Sequence, residues 1–164
     1  MATVAQILDS PTPVEIVEQI ITAHNWPFER PTEDQIIIDV MGRCGEYHIE
    51  FLWYAEEQVL HMACGFKFIA PFARREEFYM LVELLNEQLL VGHFNYWPTD
   101  NMVLFRHAAL CPGEDSFSPE QAEAMFLKAL EVCEDNYSAF NLVANGQTAQ
   151  RALEMNIREV YGTA

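Results

Sequence analysis

Basic residues are scarce: nine Lys and Arg stand against 25 Asp and Glu, leaving the 164 residues with a formal charge of −16. So negative a chain repels phosphate backbones and anionic lipid surfaces, and Arg74-Arg75, followed at once by acids, is its one basic pair. Nucleic acid and membrane are therefore excluded as partners. Apolar runs long enough to span a bilayer are missing too. Met1-Ala2-Thr3-Val4-Ala5-Gln6 has no basic segment leading into an apolar one, so no secretion signal is read there. The four cysteines show no paired spacing, which makes a reduced cytoplasm the expected setting. There is no Walker loop, dinucleotide fingerprint, HExxH or CxxC, and so no cofactor or metal to expect.

Hydrophobic residues supply 51% of the chain, enough for one domain with a real core. The firmest pattern runs from Gln35 to Phe68. The turn Gly42-Arg43-Cys44-Gly45 sets Ile36 opposite Phe51, Ile38 opposite Ile49 and Val40 opposite Tyr47. The polar loop Ala55-Glu56-Glu57-Gln58 then sets Trp53 opposite Leu60, Phe51 opposite Met62, Ile49 opposite Cys64 and Tyr47 opposite Phe66. Strand side chains alternate between faces, so each register is free to put its apolar row on the wrong side. Both rows fall on one face. That predicts a three-stranded antiparallel meander with a single apolar side.

Around the meander, residues 1–11 read as a flexible arm. Thr12-Pro13-Val14-Glu15 is a capped helix start, and the helix stops near Asn25 because Pro27 disfavours helical geometry at Trp26. A short extended piece is expected over residues 26–30. A second helix is predicted over residues 74–91, with Phe78, Leu81, Val82, Leu85 and Leu89 as its main apolar stripe. Met80, Leu84 and Val91 form another stripe well away from the first, usable either against a third helix or as a subunit interface. Gly92 ends that helix. Residues 94–97 then pair with 102–109, Phe94 opposite Phe105 and Tyr96 opposite Val103. Ser118-Pro119-Glu120-Gln121 starts a long helix towards Asn145, and Thr148 suits the start of a short terminal one. The order αβββαββα is an α+β antiparallel sheet with helices packed on one face. The domain is drawn over residues 12–155, with a tail over 156–164.

Reactive constellations are thin. Asp39 falls opposite His48 on the face away from the core, with Glu50 two residues along. A carboxylate orienting an imidazole can do base work, but no nucleophile, second acid or anion-binding loop converges there, and a solvated cross-strand pair is the plainer reading. His48 faces Gly65, leaving His61 ~13 Å along the neighbouring strand, too far to share an ion. Cys64 points into the core as a small apolar filler. Cys44 stands beside Arg43, a charge that would lower its thiol pKa, although a tolerated surface cysteine is the simpler account. Trp53, Phe51, Phe66, Phe68, Phe94 and Phe105 read as core rather than as a ligand pocket. No catalytic residue is assigned.

Trp53, Leu60, Arg74-Arg75, Leu84-Leu85-Asn86-Glu87, Gly92-His93-Phe94 and Phe105-Arg106-His107 stand out together. With Asn25-Trp26-Pro27-Phe28 before them and Tyr137-Ser138-Ala139-Phe140 after, they resemble the YbjN family of bacterial proteins, in a form similar to alphaproteobacterial members, over residues 12–153. The family is described as regulators of sensory transduction, and its fold is similar to the type III secretion chaperones, small acidic dimers that bind extended partner segments. The resemblance carries no catalytic residues. It implies a homodimer through the middle helix, covering Met80, Leu84 and Val91. It also implies a partner-binding sheet face with His48, Glu50, Leu52, Tyr54, His61 and Arg106, or a free strand edge at Gln35–Met41. Asn86 is expected to tie the helix end to a strand, and Arg106 to share the outer face with His93 and Asn95. The expectation is a cytoplasmic, non-enzymatic, chaperone-like regulatory or adaptor domain with a protein partner. The alternative is a small-molecule sensor holding its ligand between sheet and helices.

Overall fold

The computed structural model describes residues 10–113 and 116–162, the side chain of Tyr161 aside. Most of the arm read from the sequence, residues 1–9, lies outside the described residues. Elements follow in the order α1 (Pro13–Ala23), β1 (Glu29–Thr32), β2 (Gln35–Met41), β3 (Glu46–Tyr54), β4 (Val59–Lys67), α2 (Arg75–Asn86), β5 (His93–Trp97), β6 (Met102–Leu110), α3 (Pro119–Ala144) and α4 (Ala149–Tyr161). The strands form a single sheet in the order β1-β2-β3-β4-β6-β5, antiparallel throughout. The αβββαββα run stands intact inside this order, with β1 added ahead of the meander and α4 at its end.

Turn chemistry and alternation fix the registers. Ile36 faces Phe51, Ile38 faces Ile49 and Val40 faces Tyr47. Across the next hairpin Ile49 faces Cys64, Phe51 faces Met62 and Trp53 faces Leu60. β5 sets Phe94 against Phe105 and Tyr96 against Val103, while β6 lies beside β4 from Val59↔Leu110 to Lys67↔Met102. The apolar rows are buried under α1, α2 and α3. Rings fill the space between sheet and helices: the Phe140 centroid lies 5.8 Å from those of Phe66 and Phe94 and 6.0 Å from that of Phe78. A ligand sensor built on that space would have to displace them.

The helices start where their caps place them. The Thr12 and Ser118 hydroxyls accept from the amides of Glu15 and Gln121, whose side chains reach back to the cap amides, and proline follows each cap. α2 is shorter than the sequence predicts. It ends at Asn86 with Glu87 as its C-cap, so Leu90 and Val91 belong to the connection into β5. Leu90 is fully exposed, so hydrophobicity alone did not extend the helix.

Two further corrections concern the ends. α4 packs across α2 and α3, burying Ala149, Ala152, Leu153 and Asn156, and Glu77 Oε2 accepts from the Ala149 amide at 2.7 Å. The boundary drawn at residue 155 therefore falls inside a packed helix. At the other end β1 pairs Glu29 with Ile37 and Thr32 with Gln35. The edge expected to be free over Gln35–Met41 is thus half occupied.

Candidate interaction surface

With the helices on one side, none of the described elements covers the opposite sheet face. Three rows cross it: Leu52–His61–Ala108, then Glu50–Ala63–Arg106–His93, then His48–Gly65–Leu104–Asn95. Period-two alternation thus brings the six sheet-face candidates His48, Glu50, Leu52, Tyr54, His61 and Arg106 onto one surface spanning β3, β4 and β6. Tyr54 and Trp97 are 45% and 47% exposed there, so the face mixes aromatic and charged character.

Arg106 is the centre of that face. Its Nε donates to His61 Nε2 at 3.1 Å, so His61 offers a lone pair there and carries its proton on Nδ1. Burial and the Arg106 charge hold the His61 imidazole below its ordinary pKa, with Glu50 opposing them. Glu50 is meanwhile engaged by the Gln35 amide. Among the described residues Arg106 makes no ion pair, so a half-buried guanidinium faces outward from a strongly acidic protein.

Asp39 Oδ1 and His48 Nδ1 lie 2.7 Å apart, as the register predicted, but both side chains are more than half exposed and the pair is worth little. A depression of about 470 Å3 beside it is lined by Asp39, Glu46, His48, Lys67, Met102 and Tyr137 among others, and contains no serine, threonine or cysteine. Cys44 is an exposed free cysteine, in line with the simpler account of it. Burial and Glu134 push its thiol up, outweighing Arg43, whose guanidinium is bound to Glu134 instead. Cys64 is buried with its Sγ 3.6 Å from Cys133 Sγ. Among the described residues no group of three His, Cys, Asp or Glu converges as a metal site, and no helix is long and apolar enough to cross a membrane.

The three residues of the second α2 stripe part company. Met80 is 53% exposed and Val91 42%, but Leu84 packs against the core. Tyr79, which the stripe did not include, is half exposed beside Met80. Its single aromatic ring on a charged turn left no periodic signal. Asn86 does what was expected of it: its Nδ2 donates to the Phe94 carbonyl at 3.0 Å, and its Oδ1 accepts from the Phe94 amide at 2.7 Å.

An antiparallel sheet with helices on one face defines an α+β protein. The family model for YbjN, described as "Putative bacterial sensory transduction regulator", matches residues 13–142, and the chain belongs to that family. Among solved structures it is similar to YbjN of E. coli, described as a putative transcription regulator, with a TM-score of 0.56 at 8% identity over 92% of this chain and 97% of that one. It is also similar to the ExsC–ExsE complex, with a TM-score of 0.49 at 14% identity over 73% of this chain and 86% of that one. No curated protein matches the sequence.

Proposed function

We propose that this protein is a non-enzymatic, chaperone-like regulatory or adaptor module of the cytoplasm, acting through protein contacts and working as a homodimer. The observation that carries the reading is the open sheet face, where Arg106, with no acidic partner among the described residues, lies on a middle row, with Leu52 and Tyr54 towards one end of the face and Trp97 at the other. A mixed apolar and cationic patch of this kind suits a protein partner better than a solvated face. Family membership supports a regulatory role, and the exposed Met80, with the half-exposed Tyr79 beside it, supports self-association.

The partner face is tested by capturing the native partner with the wild-type protein and with Leu52→Asp and Arg106→Glu variants of unchanged melting temperature. Undiminished capture by both variants would refute that face. Light scattering tests the dimer: the wild type should elute at twice its 18.9 kDa, and Met80→Glu at the protomer mass with its fold retained. A monomeric wild type would end the dimer proposal.

A further inference from the structure

The two outermost edges of the sheet are blunted. β1 is four residues long and includes Pro31, which has no amide to offer. On β5 the outward amide and carbonyl of Phe94 are both taken by Asn86. β6 is treated differently. β5 pairs with it only as far as His93↔Arg106, whereas β4 follows it to Val59↔Leu110. The Cys111 amide donates towards β4, to the Gln58 carbonyl at 2.8 Å. Antiparallel alternation therefore turns the backbone groups of Ala108 and Leu110 the other way, and among the described residues nothing bonds to them. Gly92, at φ 68°, turns the chain off this edge before β5 begins, and a Cβ there would lie 2.7 Å from the Arg106 carbonyl oxygen.

Beneath the uncovered edge lies an apolar depression of about 340 Å3 lined by Met62, Val91, Ala109, Phe117, Met125 and Lys128 among others. A second one, of about 300 Å3, runs between α3, α4 and the segment after α2, and meets the first at Val91 and Lys128. Asn156 lines the second and is only 3% exposed. Its Nδ2 donates to the Asp135 carbonyl at 2.8 Å, while its Oδ1 is buried without a partner. Glu131 is tied to Lys128 and Asp135 lies 3.6 Å from the Arg43 guanidinium, so this end offers a guest one acceptor without a partner, Asn156 Oδ1, and two carboxylates held only by exposed cations.

We propose that the uncovered β6 edge and this groove dock an extended protein segment with apolar residues at alternate positions and one lysine or arginine. The segment adds as a strand beside Ala108 and Leu110, sinks alternate side chains towards Phe117 and Met125, and sends its cation to Glu131, Asp135 and Asn156. The net charge of −16 draws in a basic segment and repels an acidic one. This rests on the reading of the protein as a contact module, and it adds a location and a partner chemistry separate from the open face.

The probe is a labelled nine-residue peptide alternating valine and leucine with small polar residues and ending in arginine. It is compared with a scrambled peptide of equal charge and with one carrying glutamate in place of arginine. On the full chain the first peptide should bind about tenfold or more tightly than the other two, and should slow amide hydrogen exchange at Ala108 and Leu110. Ala108→Pro removes the outward amide without touching the β4 ladder and should weaken binding about tenfold. Ala109→Glu, which charges the groove, should do the same if the proline variant melts early. Equal binding of the scrambled peptide, no binding of any peptide, or resonance shifts centred on Leu52 and Arg106 would each overturn the docking site. So would slow exchange at Ala108 and Leu110 before peptide is added, since another part of this chain or a second copy would then hold the edge. Failure here with partner capture still sensitive to Arg106→Glu rejects the groove alone. Capture indifferent to Arg106 rejects the open-face reading.

Discussion

One carboxylate holds the tip of the β2–β3 hairpin. Glu134 of α3 accepts from the amide and guanidinium of Arg43 and from the Cys44 amide at 3.2 Å, and its side chain is 10% exposed. Burial pushes this carboxyl up, but the bonds from Arg43 and from the Cys44 and Arg43 amides outweigh it and hold the group below its ordinary value of 4.5. Since the folded value lies below the unfolded one, Glu134 adds stability above the unfolded value and loses it as the pH falls through the folded one. Glu134→Gln should cost about 1.5–3 kcal/mol at neutral pH and flatten the acid limb of the stability curve, as read by urea titration at a series of pH values. Identical acid limbs in the two proteins would remove Glu134 from the account. This clamp was not legible in the sequence, because Arg43 and Glu134 are about ninety positions apart and the local pattern offered Cys44 as the partner of Arg43. Asp39 opposite His48 was legible, because a hairpin register fixes cross-strand neighbours without reference to the rest of the chain.

Among the elements, β2, β3 and β4 could be read because each hairpin had a recognisable turn and an apolar row to check it. β1 has neither, having two paired positions and a proline, and α4, though its buried face of Ala149, Ala152, Leu153 and Asn156 keeps helical spacing, carries nothing local that names the helices it packs on. The sequence starts α4 at Thr148 but does not say where it packs, and that is what made α2 look so exposed: the flank carrying Glu77 is bonded to the start of α4. Deleting residues 149–162 should therefore expose the α2–α3 surface and give a protein that aggregates or loses its sharp thermal transition, measured by circular dichroism and light scattering. A truncated chain that melts with the wild type would make α4 an appendage. Asn86 offers a finer test on β5. Asn86→Ala leaves the outward amide and carbonyl of Phe94 without their partner and should cost about 1–3 kcal/mol, with faster hydrogen exchange at the Phe94 amide. Unchanged exchange there would mean that solvent already serves that edge.

Across the whole molecule charge has the longest reach, and it acts with opposite sign on two of the associations proposed, the dimer and the β6 groove. Two protomers of −16 each repel, so a dimer held by Met80 and its neighbours forms against a long-range electrostatic penalty. A basic segment entering the β6 groove is instead attracted. Raising salt from about 10 mM to about 1 M shortens the screening length from about 30 Å to about 3 Å and removes both effects. The dimer should therefore tighten with salt, while the arginine peptide should bind more weakly, chiefly through a slower association rate. The apolar part of the groove is little screened, so peptide binding should level off at high salt rather than vanish. Sedimentation and peptide anisotropy across one salt series measure both trends. Parallel trends would mean that both associations depend on charge in the same way, and the division into an apolar self-contact and a charge-steered guest site would then fail.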